Sequence, residues 1–222
     1  MAPSAAATTR NPKVRLLSAI PEKWIQGFLG SLDRLADVLV RFGVSPNLIT
    51  FFALLAGLAA GAFFAFNHPG WAAVLIFICG ALDVVDGKVA VKAGKKSLYG
   101  AIFDSTLDRY SEFFIYFGLA YYFRGRWPMW IPFFTFLGST MVSYTRARAE
   151  GLGIECRVGF MQRAERMILL VLGTLIGMIF KVFDPAMIIV LTAIAVISNI
   201  TAIDRTLLVR KIEKQMTKDK EV

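Results

Sequence analysis

The sequence predicts an all-α integral membrane protein with six transmembrane helices and an N-terminal amphipathic helix in the membrane interface. Hydrophobic residues make up 56% of the 222 residues and charged residues only 18%, with a mean hydropathy of +0.59. Six apolar stretches approach the ~20 residues that cross a bilayer. Lys and Arg concentrate on one side of those stretches. This combination is typical of a multi-span membrane protein.

The region before the first apolar stretch divides into two segments. Residues 1–19 are small, polar and basic, and we expect a disordered N-terminus there. Residues 20–43 repeat apolar side chains at helical spacing with charged residues between them. That pattern predicts a helix lying in the membrane interface, and a soluble helix packed on the rest of the protein is the alternative.

The six predicted spans lie in one domain of residues 47–208, which is followed by a basic C-terminal tail of residues 209–222. Proline, glycine and Asp-Pro turns separate the apolar stretches. We place the spans at 47–67, 71–91, 99–123, 127–147, 164–182 and 185–206.

The basic residues predict the orientation of these spans. With both termini on one side, 21 of the 25 Lys and Arg residues fall on that side and three on the other, while Arg109 lies within a span. Cytoplasmic loops collect Lys and Arg, so we expect a multi-pass protein of the cell membrane with both termini in the cytoplasm. The net charge of +9 then reflects topology and lipid contact, and no nucleic-acid partner is expected.

The shortage of histidine and cysteine limits the possible chemistry. The only histidine is His68, which disfavours a histidine-ligated zinc site and a Ser-His-Asp triad. The two cysteines, Cys79 and Cys156, give no disulfide framework. Any metal would therefore be held by oxygen ligands, which suit Mg²⁺ or Mn²⁺.

Four aspartates lie where a membrane span should be apolar. Asp83 and Asp86 are three residues apart in the second span, and Asp104 and Asp108 are four apart in the third. Both spacings put a pair on one face of a helix. A charge in a span costs about 3 kcal/mol or more, so such residues are usually functional and paired.

The short loop between these spans makes them antiparallel neighbours, and the four carboxylates should converge near the inner surface. Like charges so close repel unless a cation lies between them, which predicts one or two divalent ions able to hold phosphates. Gly87 and Gly100 lie beside the acids and leave room for a substrate. The alternatives are helix capping or pairing with basic residues, and an ion-transport path.

These residues resemble the motif of the CDP-alcohol phosphotransferase family, D-x2-D-G-x2-A-R-x8-G-x3-D-x3-D. Seven of its eight fixed positions match over 26 residues. The departure is Val91, where arginine is usual; the neighbouring Lys92 points about 100° away on the helix. The matching positions are Asp83, Asp86, Gly87, Ala90, Gly100, Asp104 and Asp108.

The resemblance covers most of the chain after residue 20 and implies roles for these residues. Metal would be bound by Asp83, Asp86, Asp104 and Asp108, with two Mg²⁺ or Mn²⁺ ions expected, and Asp108 would also be the general base. The CDP-lipid would contact Asp83, Gly87, Ala90 and Gly100. It further implies a CDP-diacylglycerol or CDP-archaeol donor, CMP as the leaving group, and a homodimer.

A second group of residues bears on the acceptor alcohol. Five arginines fall within 146–166, near a membrane entrance, and arginine suits phosphate oxygens. Ordinary positive-inside charge is the alternative, and we favour it for Arg157 and Arg163. Arg146 and Arg166 differ because they stand at span ends, where they can face the bundle.

The segments from Ser143 to Glu150 and from Gly159 to Arg166 are similar to the subgroup that uses inositol 1-phosphate. This subgroup comprises the phosphatidylinositol-phosphate and archaetidylinositol-phosphate synthases. The similarity implies that Ser143, Arg146, Arg166 and Arg205 bind the acceptor phosphate. Glycerol 3-phosphate also carries a phosphate, so a phosphatidylglycerophosphate synthase, or another CDP-alcohol phosphotransferase, is the alternative enzyme. A divalent-metal transporter and a membrane scaffold are the non-enzymatic alternatives.

Overall fold

The computed structural model describes residues 21–156, 159 and 161–218, and in this part of the chain it contains seven α-helices and no β-strand. The predicted all-α class is therefore confirmed. The expected disordered segment 1–19 and the last residues of the tail lie outside the described residues. The helices are α1 Glu22–Arg41, α2 Pro46–Ala65, α3 Pro69–Lys92, α4 Leu98–Tyr122, α5 Ile131–Gly151, α6 Arg163–Ile179 and α7 Phe183–Lys218.

Each predicted span corresponds to a helix from α2 to α7, with two differences in the boundaries. A short 3₁₀ helix at Trp127–Trp130 precedes α5, because Pro128 and Pro132 interrupt the regular helix at its start. The final helix α7 runs to Lys218, so residues 209–218, predicted as a tail, continue it. By length and apolar composition, α2 and α7 qualify as candidate membrane spans.

Helices α2 and α4 cross in backbone contact. A Cβ atom on Gly61 would collide with the carbonyl of Phe114, and one on Gly118 would collide with Gly61. At Gly57 the added atom would lie 2.6 Å from the Cβ of Ser111. Small residues allow such close helix approach in membrane proteins. This crossing fixes the face of α4 that carries Asp104 and Asp108.

The main core lies between the helices on the side away from those carboxylates. Buried side chains from α2, α3, α4, α6 and α7 meet there, among them Phe64, Ile76, Leu119, Leu170 and Leu191. Helices α5 and α7 are joined by the Thr135 hydroxyl, which donates to the backbone carbonyl of Leu191 at 3.0 Å. Packing at this end therefore positions α6 and α7 relative to the α3–α4 pair.

Helix α1 docks on the C-terminal end of α3. Its Leu32 and Ala36 are buried against Val85 and Val89. The same helix exposes Trp24, which is 75% accessible. An apolar face therefore packs on the protein while other apolar side chains remain outside, and the interfacial placement of α1 stays a prediction.

Ion pairs reinforce the docking of α1. The ammonium of Lys88 lies 2.9 Å from Asp33, and Lys92 lies 2.9 Å from Asp33 and 2.6 Å from Asp37. Hydrogen bonds from Lys88 and then Lys92 lower the pKa of Asp33 to about 2. These contacts tie α1 to the last two turns of α3, directly after Asp83 and Asp86.

Candidate active site

The loop between α3 and α4 brings their aspartates together. Helix α3 ends at Lys92, Gly94 turns the chain with a φ of +64°, and the Ser97 hydroxyl accepts the Gly100 N–H at 2.9 Å to start α4. This tight connection is typical of antiparallel neighbours. One carboxylate oxygen from each of Asp83, Asp104 and Asp108 then lies within 4.8 Å of the others.

The fourth predicted carboxylate takes a different partner. Asp86 is 5% exposed and accepts a hydrogen bond of 2.7 Å from the Thr50 hydroxyl of α2. The i,i+3 spacing from Asp83 keeps it on the same side of α3, but its oxygens are not part of the three-carboxylate group. Thr50 thus holds Asp86 at the edge of the cluster.

Arg163 lies in the middle of the acidic cluster, and its interpretation as ordinary loop charge is wrong. Its Nη1 lies 2.6 Å from Asp83 and 2.7 Å from Asp108. Its side chain is only 16% exposed, because α6 begins at this residue and packs on α3. Arg157, which received the same interpretation, lies outside the described residues.

The acidic cluster fits a divalent metal in its donor atoms. Its ligands are carboxylate oxygens, which hard cations such as Mg²⁺ and Mn²⁺ prefer. The Oδ1 atom of Asp104 is buried and has no hydrogen-bond partner in the part of the chain that the structure describes. A buried carboxylate oxygen without a partner destabilises the folded protein unless a cation or a hydrogen-bond donor lies next to it. Asp83, Asp104 and Asp108 are therefore the residues best placed to hold a metal.

A cavity of about 480 Å³ opens beside the cluster, between α2, α3 and the start of α4. Asp86 and Asp104 line its inner wall, and Lys95 and Lys96 stand at the exposed loop. Of the four residues expected to contact the CDP-lipid, Gly87, Ala90 and Gly100 line this cavity and Asp83 does not. Carboxylates and lysines together can hold an anionic group through metal and direct ion pairs.

Glycine keeps the wall of this cavity open. A Cβ atom on Gly87 would meet no atom of residues 21–156, 159 or 161–218 within 4 Å, so the space beside it belongs to the cavity. A Cβ atom on Gly100 would lie 3.0 Å from the Ser97 hydroxyl and 3.5 Å from Asn47. Gly87 thus leaves room for a ligand, whereas Gly100 leaves room for its own helix cap.

The residues expected to bind the acceptor phosphate are spread over two environments. Arg166 is 1% exposed and donates to Glu112 at 2.6 Å and to the Met161 carbonyl at 2.8 Å. Arg205 is buried and donates to the carbonyl of Val142. Both guanidinium groups are buried within the bundle, and the charge of Arg205 interacts with that of Arg146 as well as with that of Arg166.

The other two lie nearer the surface. Arg146 is 49% exposed and pairs with Glu150 one turn along α5, so it does not face the bundle interior as expected. Ser143 donates to the carbonyl of Ser139 at 3.4 Å and lines a second cavity of about 680 Å³ between α4 and α5. Arg109 lines the same cavity, whereas Arg166 and Arg205 do not.

Val91 stands where the family motif usually has arginine, and no nearby residue of α3 takes over that role. The Val91 side chain is 56% exposed. Lys92 does not replace the usual arginine, because its ammonium pairs with Asp33 and Asp37 of α1. Within the described residues, the guanidinium that reaches the cluster most directly is that of Arg163.

Sequence reasoning missed Glu112 and Thr50 as well as Arg163. Glu112 is 2% exposed and lies one turn beyond Asp108, so Asp104, Asp108 and Glu112 share one face of α4 at steps of four residues. That i,i+4 series was a usable signal. Thr50 and Arg163 reach the site only through helix packing, and their local sequence carries no such signal.

A family model described as CDP-alcohol phosphatidyltransferase matches residues 43–202. The archaetidylinositol phosphate synthase of Methanothermobacter thermautotrophicus is 39% identical over 164 residues, covering 73% of this chain and 82% of that protein. The archaetidylinositol phosphate synthase of Pyrococcus horikoshii is 36% identical over 145 residues, covering 65% of this chain and 76% of that protein.

Solved structures of the phosphatidylinositol phosphate synthase of Mycobacterium tuberculosis have the same fold. The form with CDP-DAG bound superposes with a TM-score of 0.72 at 28% identity, covering 79% of this chain and 91% of that one. A form in complex with manganese and citrate gives a TM-score of 0.71 at 26% identity and covers 79% of this chain and 87% of that one.

Proposed function

The chain belongs to the CDP-alcohol phosphatidyltransferase family, and on that premise we propose that it makes an inositol phospholipid. The reaction transfers a phosphatidyl or archaetidyl group from a CDP-lipid to inositol 1-phosphate and releases CMP. The relatives named archaetidylinositol phosphate synthase and the fold shared with a phosphatidylinositol phosphate synthase support this acceptor over glycerol 3-phosphate.

The observation that carries the proposal is the convergence of Asp83, Asp104 and Asp108 within 4.8 Å. The cluster borders a cavity lined by glycines, carboxylates and lysines, which is large enough for a nucleotide diphosphate head group. We assign the ligands as Asp83, Asp86, Asp104 and Asp108, holding two Mg²⁺ or Mn²⁺ ions. When bound, such ions would neutralise the diphosphate and the charge that develops on departing CMP.

Asp108 is proposed as the general base. Its side chain is 13% exposed and is oriented by Arg163 at 2.7 Å, and it lies one helical turn before Glu112 on α4. The acceptor hydroxyl loses its proton to Asp108 as its oxygen bonds to the phosphorus next to the lipid. The bond from that phosphorus to the bridging oxygen breaks, and CMP leaves with that oxygen.

The acceptor phosphate is proposed to bind near Arg166 and Arg205, with Ser143 and Arg146 at the entrance. A phosphorylated acceptor accounts for several guanidinium groups near one end of the bundle, whereas a neutral alcohol does not. The role of the protein is then mainly to hold two substrates in line beside the base.

We place the enzyme in the cell membrane as a homodimer with six spans and with its site open to the cytoplasm. The distribution of basic residues supports the orientation. The domain of residues 47–208 would carry the chemistry, and α1 would lie at the interface. Its exposed Trp24, and Phe42 directly after its end, suit the head-group region.

Incubation of the purified protein with CDP-diacylglycerol, Mg²⁺ and one acceptor at a time tests this function. We expect CMP release and a new lipid with inositol 1-phosphate, and little or none with glycerol 3-phosphate, serine or free inositol. A preference for glycerol 3-phosphate would overturn the acceptor assignment while keeping the enzyme class. Absence of CMP with every acceptor and with both CDP-diacylglycerol and CDP-archaeol would overturn the class.

A further inference from the structure

Arg163 holds the same carboxylate oxygens that a metal would use. Its Nη1 contacts one oxygen of Asp83 and one of Asp108 at 2.6 and 2.7 Å. Both are short, charge-assisted contacts, and the side chain is largely buried. One guanidinium therefore bridges α3 and α4 at the centre of the acidic cluster.

A guanidinium and a divalent ion compete for these oxygens. Both are cations, and at a few ångströms in a poorly solvated site they repel each other strongly. The small ions Mg²⁺ and Mn²⁺ also need close, regular oxygen coordination, which a bridging guanidinium obstructs. Entry of metal between Asp83 and Asp108 therefore requires Arg163 to release at least one of them.

The surroundings of Arg163 offer another place for its charge. The Nε atom of Arg163 is buried and has no hydrogen-bond partner among the described residues, and it lies 3.8 Å from a carboxylate oxygen of Glu112. Its Nη2 lies 3.3 Å from the Ser111 hydroxyl. A small rotation of the guanidinium toward Glu112 would satisfy the orphaned N–H and keep the cation paired.

We propose that Arg163 is an internal counter-ion of the acidic cluster, that divalent metal must displace it, and that Glu112 accepts the displaced guanidinium. The inference rests on the metal site of the proposed function. Arg163 then sets the apparent metal affinity, because only molecules with the guanidinium displaced can take up the ion. Its positive charge also offsets the repulsion between the carboxylates of the cluster when no metal is bound.

Titration of the purified protein with Mn²⁺ alone, followed by the electron paramagnetic resonance signal of free Mn²⁺, measures this competition without catalysis. Arg163→Gln removes the competing charge and retains a hydrogen-bonding group. A guanidinium that occupies the site in about 90% of molecules raises the apparent Kd about tenfold, because only the remaining molecules can bind metal. We therefore expect the apparent Kd of Arg163→Gln for Mn²⁺ to fall about tenfold. Arg163→Lys keeps the positive charge but is a shorter side chain that lacks the Nε and Nη2 donors beside Glu112 and Ser111. Its Kd for Mn²⁺ should therefore fall between that of wild type and that of Arg163→Gln.

Arg109→Gln is the matched control. Arg109 lies 3.6 Å from Asp108 and so contributes positive charge nearby, but its Nη1 donates to the Ser105 carbonyl and does not bridge the cluster. Displacement predicts that its Kd stays within about twofold of wild type, since only screened charge is lost. Equal tightening in both variants, or no tightening in either Arg163 variant, overturns the inference and leaves the metal site in place.

The metal site itself is checked in the same experiment. Wild-type protein should bind Mn²⁺, and Asp104→Asn should weaken that binding. Absence of Mn²⁺ binding in wild type and in both Arg163 variants would remove the proposed metal site, and the role of Arg163 with it. If Arg163→Gln fails to fold, the comparison of Arg163→Lys with wild type still decides the question.

Discussion

The guanidinium of Arg166 donates to the carboxylate of Glu112 at 2.6 Å, and both side chains are at most 3% exposed. Glu112 also lies 3.8 Å from Arg163, which contacts Asp83 and Asp108. One buried carboxylate thus joins the arginine assigned to the acceptor phosphate to the arginine in the acidic cluster. The two halves of the proposed active site share this network.

Replacement of Arg166 should affect both folding and acceptor binding. Arg166→Ala leaves Glu112 buried without its main partner, which typically costs about 3–5 kcal/mol of stability. In the molecules that fold, we expect KM for inositol 1-phosphate to rise far more than KM for the CDP-lipid. Thermal unfolding and steady-state kinetics with each substrate varied in turn measure the two effects.

A double variant separates the structural effect from the binding effect. In Arg166→Met with Glu112→Gln the buried charges leave together, so the loss of stability should be smaller than the sum of the two single losses. The raised KM for the acceptor should persist in the double variant. Equal increases in both KM values would contradict the assignment of Arg166 to the acceptor phosphate.

Asp108→Asn should abolish turnover while the protein still folds. The amide keeps the shape of the side chain and an oxygen for Arg163, but it does not accept a proton at neutral pH. Removal of a general base lowers the rate by about 10²–10⁴-fold. CMP release measures the rate, and thermal unfolding checks the fold; Glu213→Gln, an exposed site on α7, is the control. Wild-type turnover in Asp108→Asn would defeat the base assignment.

The sequence predicted the helices and the acidic cluster because both depend on local periodicity. Six apolar stretches corresponded to α2–α7, and i,i+3 and i,i+4 spacings put acids on two facing helices. The short loop to Ser97 then left little freedom in how those helices meet. Local pattern and a tight turn were sufficient for this half of the site.

The role of Arg163 could not be predicted in this way, because it depends on distant packing. Arg163 follows the cluster by more than 50 residues and reaches it only because α6 packs on α3. The exposed position of Arg146 is a similar case, since Glu150 one turn away on α5 pairs with it. Charge counting identifies a basic region but does not reveal which guanidinium turns inward.

The ion pairs of Asp33 predict how pH acts on the docking of α1. Since Lys88 and Lys92 lower the pKa of Asp33 to about 2, the ionised form is favoured in the folded protein. Its stabilising effect is complete above the unfolded pKa of about 3.9 and disappears as the pH falls toward 2. The difference in melting temperature between wild type and Asp33→Asn should therefore be constant at pH 5–7 and narrow below pH 4.

Added salt gives an independent check on this docking contact. The side chain of Asp33 is 45% exposed, so about 0.5 M salt should screen its ion pairs. The difference in melting temperature between wild type and Asp33→Asn at neutral pH should therefore become smaller. Glu22→Gln, in the first turn of α1, controls for loss of a negative charge from the same helix. A difference that is independent of both pH and salt would mean that apolar contacts alone hold α1.

Gly87→Ala should stabilise the protein and weaken its binding of the CDP-lipid. Gly87 is within α3, where alanine is favoured over glycine by about 1 kcal/mol, and an added Cβ meets no protein atom within 4 Å. The methyl group instead projects into the cavity assigned to the donor, so KM for the CDP-lipid should rise while KM for inositol 1-phosphate changes little. Thermal unfolding in the absence of substrate and kinetics with each substrate varied provide the measurements.

Gly80→Ala, also in α3 with no described atom within 4 Å of an added Cβ, is the matched control and should stabilise the protein without changing either KM. A raised KM in a stabilised protein cannot be explained by loss of folding. An unchanged KM for the CDP-lipid in Gly87→Ala would show that the donor binds elsewhere.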